Sequence, residues 1–167
     1  MAPRSLSFAT ALGRLRLDWT AQGVCRLRFT EGLDPVEAAQ APGWVQGAVR
    51  QLMAHLAGTP QALASIPLDL SGLTPFQQRV AGVLRATAPG QILTYGAVAL
   101  LAGRPGAARA VGQAVKANPI LILVPCHRVV GASHDGGWSA FGSPERKARL
   151  LDLERLHTGA HGTPPSR

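Results

Sequence analysis

Cysteine is scarce in this sequence. Only Cys25 and Cys126 occur among 167 residues, and they lie in segments of different type. Two such cysteines argue against a disulfide-stapled secreted scaffold, and no group of cysteines and histidines has the spacing of zinc ligands. No apolar run approaches membrane-spanning length, and the first residues lack the apolar core of a signal peptide. We therefore expect a reduced, cytoplasmic protein that holds no metal.

Acidic residues are also few. Nine Asp and Glu stand against seventeen Lys and Arg, a net charge of +8, and residues 84–167 carry ten of the cations but only four of the acids. Such an excess is typical of proteins that bind a polyanion, because phosphate contacts release counterions. Fifteen of the cations are Arg, whose forked donors suit phosphates and base edges. A merely soluble basic surface and a biased genome composition are the alternatives.

The N-terminal part alternates apolar and polar residues with a period of two. Turn signals at Gly13 and Gly23 divide residues 5–30 into three such runs, which predict a three-stranded antiparallel meander with one buried face. Cys25 falls on that face, where a small core residue is its more common role. The apolar positions are Leu6, Phe8, Leu15, Leu17, Trp19, Cys25, Leu27 and Phe29.

A helix and a linker follow the meander. Apolar residues from Trp44 to Leu56 recur at helical spacing and predict a helix that covers the sheet, whereas His55 lies off this stripe. Gly, Pro and Ser in residues 57–73 predict a linker. The fold class is therefore α+β, with an N-terminal sheet and covering helix and a mostly helical C-terminal domain. We place the boundaries at 1–71, 72–157 and a disordered tail, 158–167.

The C-terminal part begins with a strong helix signal. Thr74-Pro-Phe-Gln77 is a capping box with Pro at the first helical position. A short helix runs from its cap, Thr94, through Leu101, and another covers Ala107–Ala117 after a Gly-containing turn. This order favours a helix-turn-helix, although an ordinary solvated helix face is the alternative interpretation. The polar face of the second helix carries Arg109, Gln113 and Lys116.

The stretch after Asn118-Pro119 carries the candidate chemistry. Residues 120–124 are apolar and predict a short buried strand, which Pro125 ends with a bend. Cys126 and His127 follow directly. A thiol beside an imidazole is either a structural pair or a nucleophile with its base.

A carboxylate on the last predicted helix is the candidate third group. This helix starts at Ser143-Pro144, and Glu154 lies three and four positions after Leu151 and Leu150, so it faces inward. A buried carboxylate needs a partner, and His127 is the candidate. A Cys–His–Glu arrangement can activate a thiol, but it does not indicate which electrophile the thiol attacks.

One motif resembles a known family. Pro-Cys-His-Arg-Val-Val at 125–130, preceded by Asn118-Pro119 and by Ala-Ala-Arg-Ala-Val-Gly at 107–112, closely resembles the O6-alkylguanine-DNA alkyltransferases. The resemblance covers about residues 74–156, whereas the N-terminal half matches only in its pattern of elements. It implies a DNA-binding helix-turn-helix that enters the minor groove and flips an alkylated guanine into a pocket beside the thiol.

The resemblance implies roles for individual residues. Cys126 accepts the alkyl group, His127 acts as base through a water, and Glu154 holds the imidazole. Tyr95 assists flipping and donates a proton to the leaving purine, while Asn118 is a structural hinge. Arg109 fills the gap left by the flipped base. The DNA contacts further include Gln77, Gly96, Arg104, Ala108, Gly112, Gln113 and Ala132; Val129, Ala140 and Phe141 line the base pocket, where the carbonyls of Cys126 and Val129 receive the guanine amino group.

The reaction implied is a single-turnover transfer. A thioether has no leaving group that regenerates the thiol, so we expect a self-inactivating monomer without cofactor that acts mainly on O6-methylguanine, with O4-methylthymine as a secondary candidate. Two rivals stay open: a relative that binds lesions without repairing them, and a helix-turn-helix regulator with an incidental Cys-His pair. A cysteine hydrolase is a third rival, but it leaves the basic half unexplained.

Overall fold

The computed structural model describes residues 3–32, 40–132 and 143–158. The fold is α+β, as predicted: a three-stranded antiparallel sheet precedes a mostly helical part. None of the helices in these ranges is long and apolar enough to cross a membrane. The elements are β1 Arg4–Thr10, β2 Gly13–Trp19, β3 Val24–Phe29, α1 Gly43–Leu56, α2 Pro75–Arg85, β4 Leu93–Thr94, α3 Tyr95–Leu101, α4 Ala108–Lys116, β5 Val129–Val130 and α5 Pro144–His157, with 3-10 turns at Leu63–Ser65 and Cys126–Arg128.

The predicted meander is confirmed, with β2 in the centre and paired to β1 and β3. Leu6 lies opposite Leu17, and Leu17 lies opposite Leu27, and all three are fully buried. Because side chains alternate along each strand, this register places the apolar set on one face and the charged set on the other.

Cys25 departs from the predicted pattern, since it is only partly buried. A bulge explains the difference. After the pair Asp18–Arg26, the next pair across β2 and β3 skips Cys25, which becomes the extra residue. Val24 takes the fully buried position opposite Trp19 instead.

Helix α1 lies against the sheet, but its buried face differs from the predicted stripe. Trp44 and Met53 are 36% and 44% exposed, whereas His55 is only 3% exposed. The buried face includes Leu52, and a residue three positions later lies on the same side of a helix, which places His55 inward. Its ring packs edge-on against His157, with 5.0 Å between the ring centroids.

The outer edge of β3 joins the sheet to the rest of the chain. Val24 N donates to Pro67 O, and Leu27 N donates to Pro119 O, each at 2.9 Å. Leu121 N donates in turn to Leu27 O at 2.9 Å. The predicted linker and the segment before Cys126 are therefore both hydrogen-bonded to the same strand. The division into domains at residue 72 stays a prediction.

The helices after the linker begin where their caps predict. Thr74 Oγ1 accepts from Gln77 N, and Gln77 Oε1 accepts from Thr74 N, so the capping box is complete. Thr94 Oγ1 accepts from Ala97 N at the start of α3. A turn then leads into α4, which gives the predicted order of helix, turn and helix.

Residues 120–124 are buried as predicted, with exposures of 5% or less, but the predicted strand is wrong. Within the described residues only Ile120 of this segment forms a bridge, in parallel with Leu27. Val124 N donates back to Ile120 O, and Ile122 has a φ of 71°, so the chain turns. A short apolar run predicts burial but does not separate a strand from a buried turn.

Candidate active site

Two tight turns set the position of Cys126. Leu123 N donates to Leu121 O at 2.7 Å across Ile122, and Cys126 N donates to Val124 O at 2.7 Å across Pro125. Pro125 has a φ of −77° and a ψ of 66°, the conformation of an inverse γ-turn, which the proline ring favours. Cys126 then opens the 3-10 turn Cys126–Arg128 and is 3% exposed.

Asn118 holds the segment that leads to the thiol. Its Nδ2 donates to Val124 O at 3.0 Å, and its Oδ1 accepts from Ile120 N at 3.0 Å. The same side chain hydrogen-bonds to Cys126. One amide therefore closes the turn at both ends and contacts the thiol, while the hinge role of Asn118 stays a prediction.

The thiol of Cys126 is neutral at ordinary pH. Burial raises its pKa to about 11, against the opposing effects of the Asn118 hydrogen bond and the positive charge of Lys147. A nucleophilic thiolate therefore forms only when a base takes the proton as the thiol reacts.

His127 and Glu154 form the predicted pair. His127 Nε2 lies 2.7 Å from Glu154 Oε1, and both residues are 1% exposed. The contact fixes the orientation of the imidazole directly after Cys126 in the chain. This is the geometry in which a carboxylate orients a histidine that acts as a base.

Arg128 completes the network and has no sequence signal beyond its position in the motif. Its Nε and Nη2 donate to both oxygens of Glu154 at 2.8–3.1 Å, and its Nη1 donates to Thr87 O at 2.8 Å. Burial by itself raises the pKa of Glu154, but the hydrogen bonds and charges of His127 and Arg128 outweigh it and hold that pKa at about 2. Glu154 is thus ionised.

Tyr95 lies near the thiol at the start of α3. Burial, followed by the interaction with Cys126, raises the pKa of its phenol, so the hydroxyl stays protonated and is a proton donor. A Cβ added at Gly112 would meet Tyr95 Cε1 at 3.9 Å, so α4 passes directly beside the ring.

Lys147 is a site residue that the sequence reasoning missed. Its Nζ donates to Val129 O at 3.1 Å, and its charge interacts with Cys126. Burial lowers the pKa of the ammonium, while Cys126 opposes that shift. Lys147 precedes Glu154 by seven residues, two helical turns, so the spacing that placed Glu154 inward also marked Lys147.

The predicted DNA-binding residues lie on a surface around α3 and α4. Arg109 and Gln113 are exposed on α4, opposite its buried residues Val111, Ala114 and Val115. The guanidinium of Arg104 lies over the ring of Phe76, 4.9 Å from its centroid. Gly96 and Ala132 are exposed, whereas Ala108, Gly112 and Gln77 are half-buried.

The predicted base pocket is only partly described. Val129 is fully buried on β5, and its carbonyl is the one that Lys147 contacts. Ala140 and Phe141 lie outside the described residues. In the described part of the chain, no three His, Cys, Asp or Glu side chains are arranged to hold a metal ion.

The arrangement suits a nucleophilic displacement at Cys126. The buried thiol of Cys126 is followed by the imidazole of His127, which Glu154 orients. The phenol of Tyr95 and the ammonium of Lys147 are close enough to interact with the thiol. The exposed cationic face of α4 adjoins the tyrosine. Such a cationic face suits a polyanionic partner.

Comparison with known proteins identifies the family. Residues 75–156 match the family model described as 6-O-methylguanine DNA methyltransferase, DNA binding domain. A methylated-DNA–protein-cysteine methyltransferase of Mycobacterium bovis is 49% identical over 120 residues, which cover 71% of this chain and 70% of the relative. One of Shigella flexneri is 41% identical over 125 residues, 74% of this chain and 69% of that protein.

Solved structures extend the similarity to the N-terminal part. The crystal structure of Mycobacterium tuberculosis O6-methylguanine methyltransferase superposes with a TM-score of 0.79 at 37% identity, covering 98% of this chain and 96% of that one. The structure of the M. tuberculosis protein in complex with DNA gives a TM-score of 0.77 at 40% identity, over 91% and 92% of the two chains. This chain therefore belongs to the O6-methylguanine-DNA methyltransferase family, the methylated-DNA–protein-cysteine methyltransferases.

Proposed function

We propose that this protein repairs DNA by moving the alkyl group of O6-alkylguanine, mainly O6-methylguanine, to the sulfur of Cys126. The observation that carries the proposal is the direct succession of the buried Cys126 and the His127–Glu154 pair, with an Nε2–Oε1 distance of 2.7 Å. The family of the chain and the basic face of α4 support DNA as the partner. O4-methylthymine is a secondary substrate in this proposal.

Recognition begins at α4. Its exposed Arg109 enters the minor groove and takes the place of the flipped guanine, while the small side chains of Ala108 and Gly112 let the helix backbone approach the groove closely. Gln77, Gly96, Arg104, Gln113 and Ala132 contact the DNA around it. The flipped base then lies beside Cys126, where the carbonyls of Cys126 and Val129 receive its amino group, with Ala140 and Phe141 as further pocket residues.

The transfer is one displacement. His127, held by Glu154, takes the thiol proton through a water, and the sulfur attacks the alkyl carbon. The new S–C bond forms as the C–O6 bond breaks, and the electron pair remains on the purine. Tyr95, whose raised pKa keeps it protonated, donates a proton to the leaving guanine. The products are guanine and a thioether at Cys126.

The thioether has no leaving group that restores the thiol, so each molecule reacts once. No cofactor enters this scheme. We also propose that the protein acts as a cytoplasmic monomer and that residues 1–71 form a supporting domain for the reactive domain 72–157. Cys126 itself favours repair over lesion binding without transfer, because that rival needs no acceptor thiol.

Intact-protein mass after incubation with duplex DNA that contains one O6-methylguanine tests the proposal. Wild type and Cys25→Ser should each gain the mass of one methyl group and stop at one equivalent, whereas Cys126→Ser should gain nothing. Cys25→Ser is the matched control, because it removes the other thiol in the sequence. Tight lesion binding without a mass change would contradict the transfer and favour a non-repairing lesion binder; repeated turnover would contradict single use.

A further inference from the structure

The loop between α2 and β4 contacts the Nη1 end of the Arg128 guanidinium, and the proposed reaction gives this contact no role. Arg128 is 7% exposed, and a buried guanidinium needs acceptors for its N–H groups. Its Nε and Nη2 donate to Glu154. Its Nη1 donates to Thr87 O and to the hydroxyl oxygen Thr87 Oγ1, each at 2.8 Å. Thr87 therefore supplies two acceptors to the end of the guanidinium that faces the loop.

The hydroxyl of Thr87 is oriented by the end of α2. Thr87 Oγ1 donates to Leu84 O, in the last turn of that helix, at 2.6 Å. A hydroxyl has one hydrogen, and with that hydrogen on Leu84 O the oxygen is left to accept from Arg128. The direction of the hydroxyl is thus set by the helix, and the hydroxyl in turn holds Nη1 of Arg128.

The position of Arg128 bears directly on the imidazole of His127. Glu154 Oε1 accepts from Arg128 Nη2 at 2.8 Å, and the same oxygen lies 2.7 Å from His127 Nε2. The other oxygen, Oε2, accepts from Gly90 N at 3.2 Å, a second contact from the same loop. A shift of the guanidinium therefore moves the oxygen that orients His127.

Water is the competitor of Thr87 for Arg128. A cavity of about 160 Å³ is lined in part by Thr87, Arg128 and Glu154. Without the hydroxyl, Nη1 would take a replacement acceptor from water that enters this cavity. Such a water is less firmly fixed than a side chain on the backbone, so the guanidinium would lose its single orientation.

We propose that Thr87 is a positioning residue for the alkyl transfer. Its hydroxyl holds Arg128, Arg128 holds Glu154, and Glu154 orients the imidazole of His127 that takes the thiol proton. This inference rests on the proposed function, in which His127 acts as the base. Thr87 touches neither the alkyl group nor the DNA, so it affects the rate of the transfer and leaves DNA binding unchanged.

The test is the single-turnover rate constant for methyl transfer from a saturating lesion duplex, with affinity for the undamaged duplex measured separately. Thr87→Val has nearly the same shape but no hydroxyl. It should transfer about three- to tenfold more slowly than wild type, a small part of the roughly 10²–10⁴-fold that a well-placed base contributes. Thr87→Ala also lacks the hydroxyl and should show the same fall. Thr87→Ser keeps the hydroxyl and should recover the wild-type rate to within about twofold.

Thr10→Val is the matched control. Thr10 Oγ1 donates to Gly13 O at 2.6 Å and accepts from Leu12 N at 3.2 Å, so the change removes the same kind of hydroxyl from a turn of the sheet. It should lower stability, as Thr87→Val does, and keep the wild-type rate. A merely structural role of Thr87 would likewise lower stability and leave the rate of the folded protein unchanged.

Three results would overturn the proposal. They are equal rates in wild type and Thr87→Val, an equal fall in Thr10→Val, and no recovery in Thr87→Ser. Alkylation of Cys126 by iodoacetamide, in a Cys25→Ser background, depends on the same base without a lesion and should rank the variants in the same order. If that order is found but wild type transfers no methyl group, the proposed function fails while the support of His127 by Thr87 stands.

Discussion

Lys147 and Glu154 lie two helical turns apart on α5, and both contact the segment that contains Cys126. Lys147 Nζ donates to Val129 O at 3.1 Å, and Glu154 accepts from Arg128 and contacts His127 at 2.7 Å. One helix thus supplies a cation that lowers the pKa of the Cys126 thiol and a carboxylate that orients the imidazole of His127. In the proposed reaction, Cys126 gives its proton to His127 through a water, and Lys147 and Glu154 lie on the two sides of that step.

Replacing Lys147 should make the thiol harder to ionise. The ammonium lowers the pKa of Cys126 against the larger effect of burial, so Lys147→Met should raise that pKa above about 11. Alkylation by iodoacetamide, measured as a function of pH in a Cys25→Ser background, should be several-fold slower at each pH. Lys147→Arg should restore part of the rate, because it keeps the charge.

Arg149→Met is the matched control for Lys147→Met, since it removes an exposed cation from the same helix. It should leave the pH profile of Cys126 unchanged. An equal shift in both variants would show that net charge, rather than the position of Lys147, sets the pKa of the thiol.

Glu154→Gln should destabilise the protein in a pH-dependent way. The pKa of Glu154 is about 2 in the folded protein and 4.5 ordinarily, so its ionised form adds stability that is fully present above about pH 4.5. This contribution, on the order of 3 kcal/mol, is lost as the pH falls towards 2. Denaturant unfolding should show wild type more stable by about 3–5 kcal/mol at pH 7, because the change leaves Arg128 without its buried partner.

The difference in unfolding free energy between wild type and Glu154→Gln should decrease steadily below pH 4.5. Glu145→Gln, an exposed position on the same helix, should show a difference within about 0.5 kcal/mol at every pH. A gap that stays constant down to pH 3 would mean that shape and packing, not ionisation, explain the loss.

Site residues could be predicted from the sequence where they lie in a short motif or recur at helical spacing. The motif at 125–130 located Cys126, and helical spacing turned Glu154 inward, which the contact with His127 at 2.7 Å agrees with. Lys147 has the same spacing but was missed, because a lysine on a charged helix normally faces water. Its ammonium is retained by a backbone carbonyl, a partner that no sequence pattern identifies.

Two fold errors have a common physical origin. Apolar residues 120–124 predicted a strand, and alternation placed Cys25 in the core. In both places hydrogen bonding outside the simple pattern changed the local geometry: the nearby amide of Asn118 closes a turn, and a bulge in β3 removes Cys25 from the pairing. The burial of an apolar run can be predicted from composition, whereas a bulge or a turn depends on hydrogen bonds that the hydrophobic pattern does not encode.

Arg109→Ala should impair base flipping from duplex DNA without changing methyl transfer to Cys126 itself. The side chain is exposed on α4, so the unfolding free energy should change by no more than about 0.5 kcal/mol. Methyl transfer from duplex O6-methylguanine should slow by about tenfold, which corresponds to about 1.4 kcal/mol of activation free energy. Transfer from the base in solution should be unchanged, because nothing is flipped. Arg50→Ala is the control, and an equal loss there would contradict a specific role for Arg109.

Gly23→Ala tests how the sheet and the linker are joined. Gly23 has a φ of 154°, and an added Cβ would lie 2.6 Å from both the carbonyl carbon and the oxygen of Pro67. That carbonyl accepts from Val24 N at 2.9 Å, so the clash separates the two hydrogen-bonded segments. Thermal or denaturant unfolding should show a loss of about 1–3 kcal/mol from this overpacking, beyond the cost of a positive φ.

Gly58→Ala is the control that separates the clash with Pro67 in Gly23→Ala from the cost of a positive φ. Gly58 also has a positive φ, 102°, but an added Cβ would have no heavy atom within 4 Å. The free energy of unfolding of Gly58→Ala should therefore fall only by the cost of placing a non-glycine residue at a positive φ. If the two alanine variants are equally stable, the backbone near Pro67 yields without cost, and the linker does not hold the edge of β3 in place. If Gly23→Ala is the less stable, close approach of the linker is what requires glycine there.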